Sequence, residues 1–479
     1  MRNIQIIFLI LSVAAFVKAG ENSLSNQSKS AEILTDSVKI QKWFDAKGSA
    51  FTFTFDDGYI TDYQYAWPVL NSFGYKGTFY VITGSLTDTL PAIWRYGTWQ
   101  QFKELHDYGN EIGSHTVTHP YLTQLDPGDT LTPGTIEYEV YQSKKTIDSI
   151  ITDTKCITFA YPYVDYDSIV VGIVKKYYES ARGMNNNPNP SSLYGDQYYT
   201  LKSKEIDFDL PRNTPADDED EFVDATNWIQ SSIDSSGWAI IMIHEVYPFD
   251  SLQIALNEGS WYPMTVEWLT QLCEWIQNKD IWVATAADIT KYMRERESAQ
   301  YEIISQSDAS VRMNLTDTLG NNIYNFPLTL DIPIPNNWDS TFVYQDGNFK
   351  SSYIVDYNGV KYARTNVIPD GGEIMILNSP ITIVKNNGSL PDNFRLSQNY
   401  PNPFNPSTII KFNLPDDQPV SLAVYDILGR EVRILINNQL YKSGNHEVKF
   451  DGSSLPSGIY FYRLFTPKFS GIKKMMLVK

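Results

Sequence analysis

Residues 51–64, FTFTFDDGYITDYQ, place three phenylalanines at alternate positions and then stop on two adjacent carboxylates and a glycine. Phe51, Phe53 and Phe55 share one face at period two, so the run reads as a strand packed on one side. Asp56 and Asp57 are the first residues past its end. Asp and Gly are ordinary turn formers, but two neighbouring carboxylates repel and are costly to bury without a cation. The rest of the chain has to say whether this is a turn or a site.

Outward from this stretch, residues 42–297 alternate short apolar strands with helical patterns. The strand-like runs are 51–55, 78–82, 111–114, 156–161, 239–243 and 281–284. Helical spacing appears over 63–73 and over 265–277, where Val266, Leu269, Leu272 and Ile276 share a side. Such alternation implies an α/β fold with a parallel sheet, and about 250 residues is the size of a (β/α) barrel, whose chemistry sits where strands end. Polar residues recur at those ends: Asp56 and Asp57, then SHTVTH, YPYVDYD and HEV. After residue 297 the pattern turns β-rich, with turn signals such as QDGN, YNGV and PDGG. Residues 300–386 read as a β-sandwich accessory domain. A break near NNGSLPDN precedes a second sandwich-like module over 392–479.

A chain of 479 residues calls for two to four domains. Its formal charge of −18 lacks the basic stripe that nucleic acid requires, so no nucleic-acid partner is expected. Arg2 ahead of an apolar run over 4–17, with Val17-Lys18-Ala19 as a small-residue cleavage site, reads as a signal peptide over residues 1–19. That run is too short for a membrane span. The expectation is a secreted or cell-surface protein. Cys156 and Cys273, the two cysteines, sit beside apolar residues and read as buried thiols.

Two of the five histidines, His115 and His119, lie four apart in HTVTHP, a spacing that lets both imidazoles reach one ion. The peptidase motif HExxH would put a glutamate base after the first histidine, where this chain has Thr116. Asp56 and Asp57 provide what is missing if the strand ends are neighbours: one carboxylate binds metal and the other takes a proton from water. His244, at the end of WAIIMIHEV, can serve as a protonated acid for the leaving group.

TFDDG, HTVTH, FAYPYV and IMIHE, in this order, resemble the successive motifs of the NodB-like polysaccharide deacetylases, carbohydrate esterase family four. The resemblance covers about half the chain and implies a distorted (β/α) barrel. It implies Asp56 as general base, and Asp57, His115 and His119 as ligands of a divalent metal, usually zinc. His244 would be the general acid, Tyr163 would offer its backbone N–H to the oxyanion, and Ile241 and Ile243 would line the acetyl-methyl pocket. The chain departs from the family at Ala160, where an arginine orients the base in many members, and at Val164, where glycine is usual. No clear fourth motif is found. Arg182 and Arg212 are candidates for the missing arginine, and Asp207, Asp209 and Asp288 for the partner of His244. Among the aromatics Trp94, Trp99, Tyr163, Tyr166, Trp238, Tyr247 and Trp261, Tyr163 and Tyr247 are expected near the cleft.

The stretch LSQNYPNPFNPSTIIKFNLP, with VYDILGREV, GIYFYRL and KKMMLVK after it, resembles a type IX secretion C-terminal sorting domain. It implies Sec export and then the type IX secretion machinery as partner. The reading is a secreted metal-dependent deacetylase of an acetylated polysaccharide or oligosaccharide, with N-acetyl groups of a chitin or peptidoglycan type first and acetylxylan second. The rivals are a catalytically impaired glycan-binding protein and a zinc peptidase.

Overall fold

The computed structural model describes residues 37–88, 95–185, 187–206, 215–257, 259–260, 263–379, 394–426, 430–453 and 455–478. Residues 1–19, the break near 386–393, and Trp94, Asp207, Asp209, Arg212 and Trp261 lie outside the described residues. The chain divides into two compact units, Met1–Pro380 and Ile381–Lys479.

In the first unit the chain runs through β1 (Lys39–Ile40), β2 (Ser49–Phe55), β3 (Gly77–Val81), β4 (Glu111–Ser114), β5 (Thr158–Ala160), β6 (Ser180–Arg182), β7 (Lys204–Glu205) and β8 (Trp238–Ile243). β9 (Val246–Tyr247), β10 (Met264–Thr265) and β11 (Ile281–Val283) follow. The helices between them are α1 (Trp67–Ser72), α2 (Trp99–Asp107), α3 (Ile136–Ile150), α4 (Ser168–Val174), α5 (Pro215–Asp234), α6 (Phe249–Asn257), α7 (Val266–Gln277) and α8 (Ala286–Ser298). A parallel sheet runs in the order β6-β5-β4-β3-β2-β8-β7, with β11 also on β2. β11 pairs Ser49 to Phe51 and β3 pairs Phe53 to Phe55, so the two share one edge of the central strand. Backbone bonds Gly183 N–H to Leu201 O, 2.7 Å, and Asn185 N–H to Ser203 O, 3.2 Å, bridge the remaining gap irregularly. The result is a distorted barrel.

The strands expected from periodicity are all present, their ends displaced by no more than two residues. β6 and β7 were not expected, because two or three residues carry no readable period. The helical stretch 63–73 opens as a π turn over Asp62–Ala66, closed by Trp67 N–H on Asp62 O, before α1. Pro68 has no N–H to give Gln64, so the regular ladder is interrupted there. α7 begins where the Thr265 hydroxyl accepts from Trp268 N–H, 3.1 Å, and it buries Trp268, Leu269, Leu272, Cys273 and Ile276.

The second layer of this unit comprises β12 (Gln300–Gln306), β13 (Ser310–Thr316), β14 (Leu328–Pro333), β15 (Phe342–Gln345), β16 (Asn348–Lys350), β17 (Ser352–Tyr357), β18 (Val360–Val367) and β19 (Ile374–Leu377). These form the sheets β1-β14-β18-β17 and β12-β13-β19-β15-β16 around Val311, Leu330, Trp338, Val343 and Ile376. β1 precedes the barrel in sequence yet pairs antiparallel with β14, Lys39 opposite Asp331. Tyr292 of α8 belongs to the sandwich core, and Phe44, Trp282 and Phe326 pack their rings around it. Barrel and sandwich are thereby stitched together twice.

The second unit holds the sheets Arg395–Leu396, Ser407–Leu414, Gly444–Asp451 and Glu431–Tyr441, Gln418–Tyr425, Gly458–Thr466, Phe469–Leu477, each in spatial order. Phe404, Phe412, Leu422, Tyr462 and Leu477 lie in its core. Among the described residues no helix is long and apolar enough to cross a membrane.

Glu295 of α8 is wholly buried at the seam between barrel and sandwich, where both carboxyl oxygens accept from Phe326 N–H at 3.0 and 3.1 Å. Burial pushes its pKa from the usual 4.5 up to about 8. The folded state therefore keeps a proton that the unfolded state releases, and stability falls as pH rises through the window between those values. In urea unfolding across that window, wild-type stability declines with pH, and Glu295→Gln, neutral throughout, removes that component of the slope.

Candidate active site

The carboxy-terminal ends of β2, β4 and β8 deliver Asp56 with Asp57, His115, and His244 to one end of the barrel. Adjacent strand pairing makes them neighbours: Asp56 N–H donates to Ile243 O, 2.9 Å, and His115 N–H to Val81 O, 3.0 Å. Asp57 leaves the strand at φ 75°, a left-handed conformation unusual for a non-glycine residue.

Asp57, His115 and His119 form a group whose ligand atoms all lie within 4.8 Å of one another. His115 Nε2 and His119 Nε2 are 3.0 Å apart, and they stand 3.5 and 3.4 Å from Asp57 Oδ1. That oxygen is buried and has no hydrogen-bond partner. His115 Nδ1–H donates to Ala160 O, 2.8 Å, which leaves the lone pair on Nε2. Burial first, and then the neighbouring His115 ring, push the His119 pKa down to about 4, so its imidazole is neutral at pH 7. Two imidazole nitrogens and one unpartnered carboxylate oxygen are a donor set suited to a divalent metal.

The turn carrying the histidines is held from outside by Glu139 of α3, a buried residue that the sequence reading did not single out. Its Oε2 accepts from Val117 N–H, 2.9 Å, and Thr118 N–H, 2.8 Å, and its Oε1 from the Thr118 hydroxyl, 2.9 Å. The Thr116 hydroxyl accepts from His119 N–H, 2.9 Å, while Thr116 and His119 both adopt positive φ, 68° and 61°. Gly84 N–H bonds Val117 O on the other flank, where a Cβ would approach that oxygen to 2.5 Å. Removing the clamp with Glu139→Ala should weaken binding of a divalent metal about 10- to 100-fold, read by calorimetric titration of metal-free protein.

Asp56, 2% exposed, bonds through Oδ2 to the guanidinium of Arg182, while its Oδ1 is buried without a partner. Burial works to raise its pKa, but Arg182 foremost, then His115 and His244, hold it below the usual carboxylate range. Arg182 comes from β6, is itself 2% exposed, and lies over the Tyr80 ring. The arginine absent at Ala160 thus arrives from the next strand of the sheet. His244 is half-buried, with Nδ1 3.9 Å from Glu205 Oε1 on β7. Asp288 is not placed to partner it: it lines a cavity with Asn110, Glu111 and Cys156 at the opposite end of β4 from His115.

Tyr163 sits at φ 55°, its ring edge-on to His119 at 4.5 Å and stacked on Tyr121 at 4.0 Å. Ile241 and Ile243 are wholly buried in the barrel's hydrophobic cluster and present no surface to the site. Tyr247 is half-buried and donates to Glu245 Oε1, 3.1 Å. Glu245 pairs with Arg95, which lies over Tyr59, a phenol whose pKa is raised by burial and then by the Asp57 charge. Trp99 and Trp238 are core residues, and Tyr166 stacks on Tyr161. Near this network Asp62 is fully buried with neither carboxyl oxygen partnered. Burial, then Glu245, Asp57 and Asp56, raise its pKa well above the usual carboxylate range. Tyr59, Asp62, Glu139 and Glu205 carry no spacing signal of their own; only Tyr59, next to the DDG, was within reach of sequence reading.

Residues 45–178 match the polysaccharide deacetylase family and residues 398–479 match the secretion system C-terminal sorting domain. A gellan lyase from Bacillus sp is 26% identical over 374 residues, 75% of this chain and 14% of the lyase. YxkH of Bacillus subtilis (strain 168), provisionally named a polysaccharide deacetylase, is 33% identical over 123 residues, 26% of this chain and 40% of that protein. The chain therefore spans well under half of each relative's length. Among solved structures, the Streptococcus pyogenes deacetylase PplD in complex with acetate is 31% identical with a TM-score of 0.25, over 28% of this chain and 56% of that one. This chain carries a domain of the polysaccharide deacetylase family and, at its C-terminal end, a secretion system sorting domain.

Proposed function

We propose that the protein is a secreted, metal-dependent deacetylase that hydrolyses acetyl groups from a glycan, N-acetyl groups of an amino-sugar polymer of chitin or peptidoglycan type before acetyl esters of xylan. The observation that carries this reading is the pair of buried carboxylates, Asp56 and Asp57, each with one unpartnered oxygen, beside two imidazole nitrogens. Asp57, His115 and His119 would hold the metal, zinc being the first choice for one carboxylate and two imidazoles. When bound it supplies Lewis acidity that polarises the acetyl carbonyl and makes water a nucleophile near neutral pH.

The chain's own groups do the rest. Arg182 fixes Asp56 through Oδ2 and leaves Oδ1 free to take the proton of the attacking water. The Tyr163 backbone N–H holds the oxygen that becomes negative as the carbonyl carbon turns tetrahedral. His244, with Glu205 Oε1 3.9 Å from its Nδ1, gives a proton to the amine or alkoxide as its bond to the acetyl carbon breaks. Water attacks directly, so no acyl-enzyme forms. The contact of Arg182 with Asp56 favours the enzyme over the glycan-binding rival, because a binder has no need to hold a buried base ionised. The sorting domain supports Sec export followed by type IX secretion to the surface or the medium.

The test is acetate release from acetylated chitooligosaccharides, peptidoglycan and acetylxylan. Wild-type release should stop on chelation and return with zinc. Asp56→Asn should lower kcat about 10²- to 10⁴-fold, the range for a general base. Arg182→Ala should also lower kcat, with the acidic limb of the kcat/KM profile moved to higher pH, as loss of the cation beside Asp56 requires. Peptide cleavage in place of acetate release, or glycan binding that survives chelation with no release at all, would overturn the proposal.

A further inference from the structure

Tyr121 follows the HTVTHP motif by one residue, and nothing in the catalytic scheme uses it. It is 47% exposed, and Tyr163 beside it is 54% exposed, yet the two rings stack at 4.0 Å and 11°. Tyr163 also meets His119 edge-on, ring centroids 4.5 Å apart. His119, Tyr163 and Tyr121 are thus in ring-to-ring contact in that order, from a proposed metal ligand to two exposed tyrosines. The two loops that carry the tyrosines are tied together: Asp165 accepts from Thr123 N–H, 2.8 Å, and from the Thr123 hydroxyl, 2.8 Å. A tyrosine serving only the core would be covered, whereas these rings are held in order while still open to solvent.

We infer that Tyr121, backed by Tyr163, is a substrate-positioning residue: its ring stacks on the pyranose next to the one being deacetylated, giving the enzyme a preference for glycans of two or more residues. The inference rests on the deacetylase reading and goes beyond it by assigning a chain-length determinant. The occupant follows from continuity with the site. Tyr163 touches both His119 and Tyr121, so a glycan whose acetyl group lies at His119 brings its neighbouring residue within reach of these rings. A pyranose presents a C–H face to an aromatic ring and keeps its hydroxyls in water, which suits a half-exposed tyrosine. A preordered platform spends little entropy on binding.

The experiment compares kcat and KM for N-acetylated chitotetraose and for 4-nitrophenyl acetate in the zinc-loaded full chain, in Tyr121→Ala and in Tyr121→Phe. Loss of an aromatic contact is expected to raise KM for the tetrasaccharide about tenfold and to lower its kcat/KM relative to the aryl acetate by the same factor. Tyr121→Phe, which keeps the stack, should retain the wild-type ratio. An unchanged ratio in Tyr121→Ala overturns the assignment. So does an equal fall on both substrates, since that would show Tyr121 only supporting Tyr163 and His119. A wild type that releases acetate from the aryl ester but from no glycan overturns the deacetylase reading, and this inference with it.

Discussion

Everything at this end of the barrel depends on burying two consecutive carboxylates. Asp56 and Asp57 are 2% and 8% exposed, and like charges so close are tolerated only where positive charge or hydrogen bonds compensate each of them. The two are compensated differently. Asp56 has a buried guanidinium, which keeps it ionised in a place that would otherwise protonate it. Asp57 has two imidazoles beside it, at least one of them neutral, so its unpartnered oxygen is open to a cation. One fold feature, the end of β2, thus sets the proposed base and a candidate metal ligand side by side.

Holding that arrangement takes backbone strain, and the strain is distributed. Asp57, Thr116, His119 and Tyr163 all adopt positive φ. Glu139 compensates for the turn by accepting two backbone N–H groups and a hydroxyl, and Gly84 gives the space for a close backbone approach. On the other side Tyr59, Arg95, Glu245 and Tyr247 run from beside Asp57 to β9. Asp62 lies buried in the same region, where burial and the neighbouring carboxylates raise its pKa and so disfavour a further negative charge.

Alternation of Phe51, Phe53 and Phe55 was enough to place the central strand, and the heptad-like spacing of Leu269, Leu272 and Ile276 enough to place α7, because long regular elements advertise their period. Asp56, Asp57, His115, His119 and His244 were legible as candidates because scarce chemistry-bearing residues clustered at strand ends. Arg182 was harder. It sits on a three-residue strand, too short for any period, and its contact with Asp56 joins residues 126 positions apart. The pairing of β1 with β14 was hidden for the same reason, since two residues of strand before a barrel say nothing about a partner almost three hundred residues on.

The sequence by itself determined the fold class, the order of the strand ends and the residues able to bind metal or move protons, since these follow from local period and from side-chain chemistry. Only the tertiary structure decided which arginine faces Asp56, that Glu205 and not Asp288 stands beside His244, that Ile241 and Ile243 lie buried in the core, and that Tyr121 stays exposed. Those outcomes depend on which distant strands are neighbours and on how fully each side chain is covered. Pairing and coverage are properties of the packed chain, and no window of residues contains them.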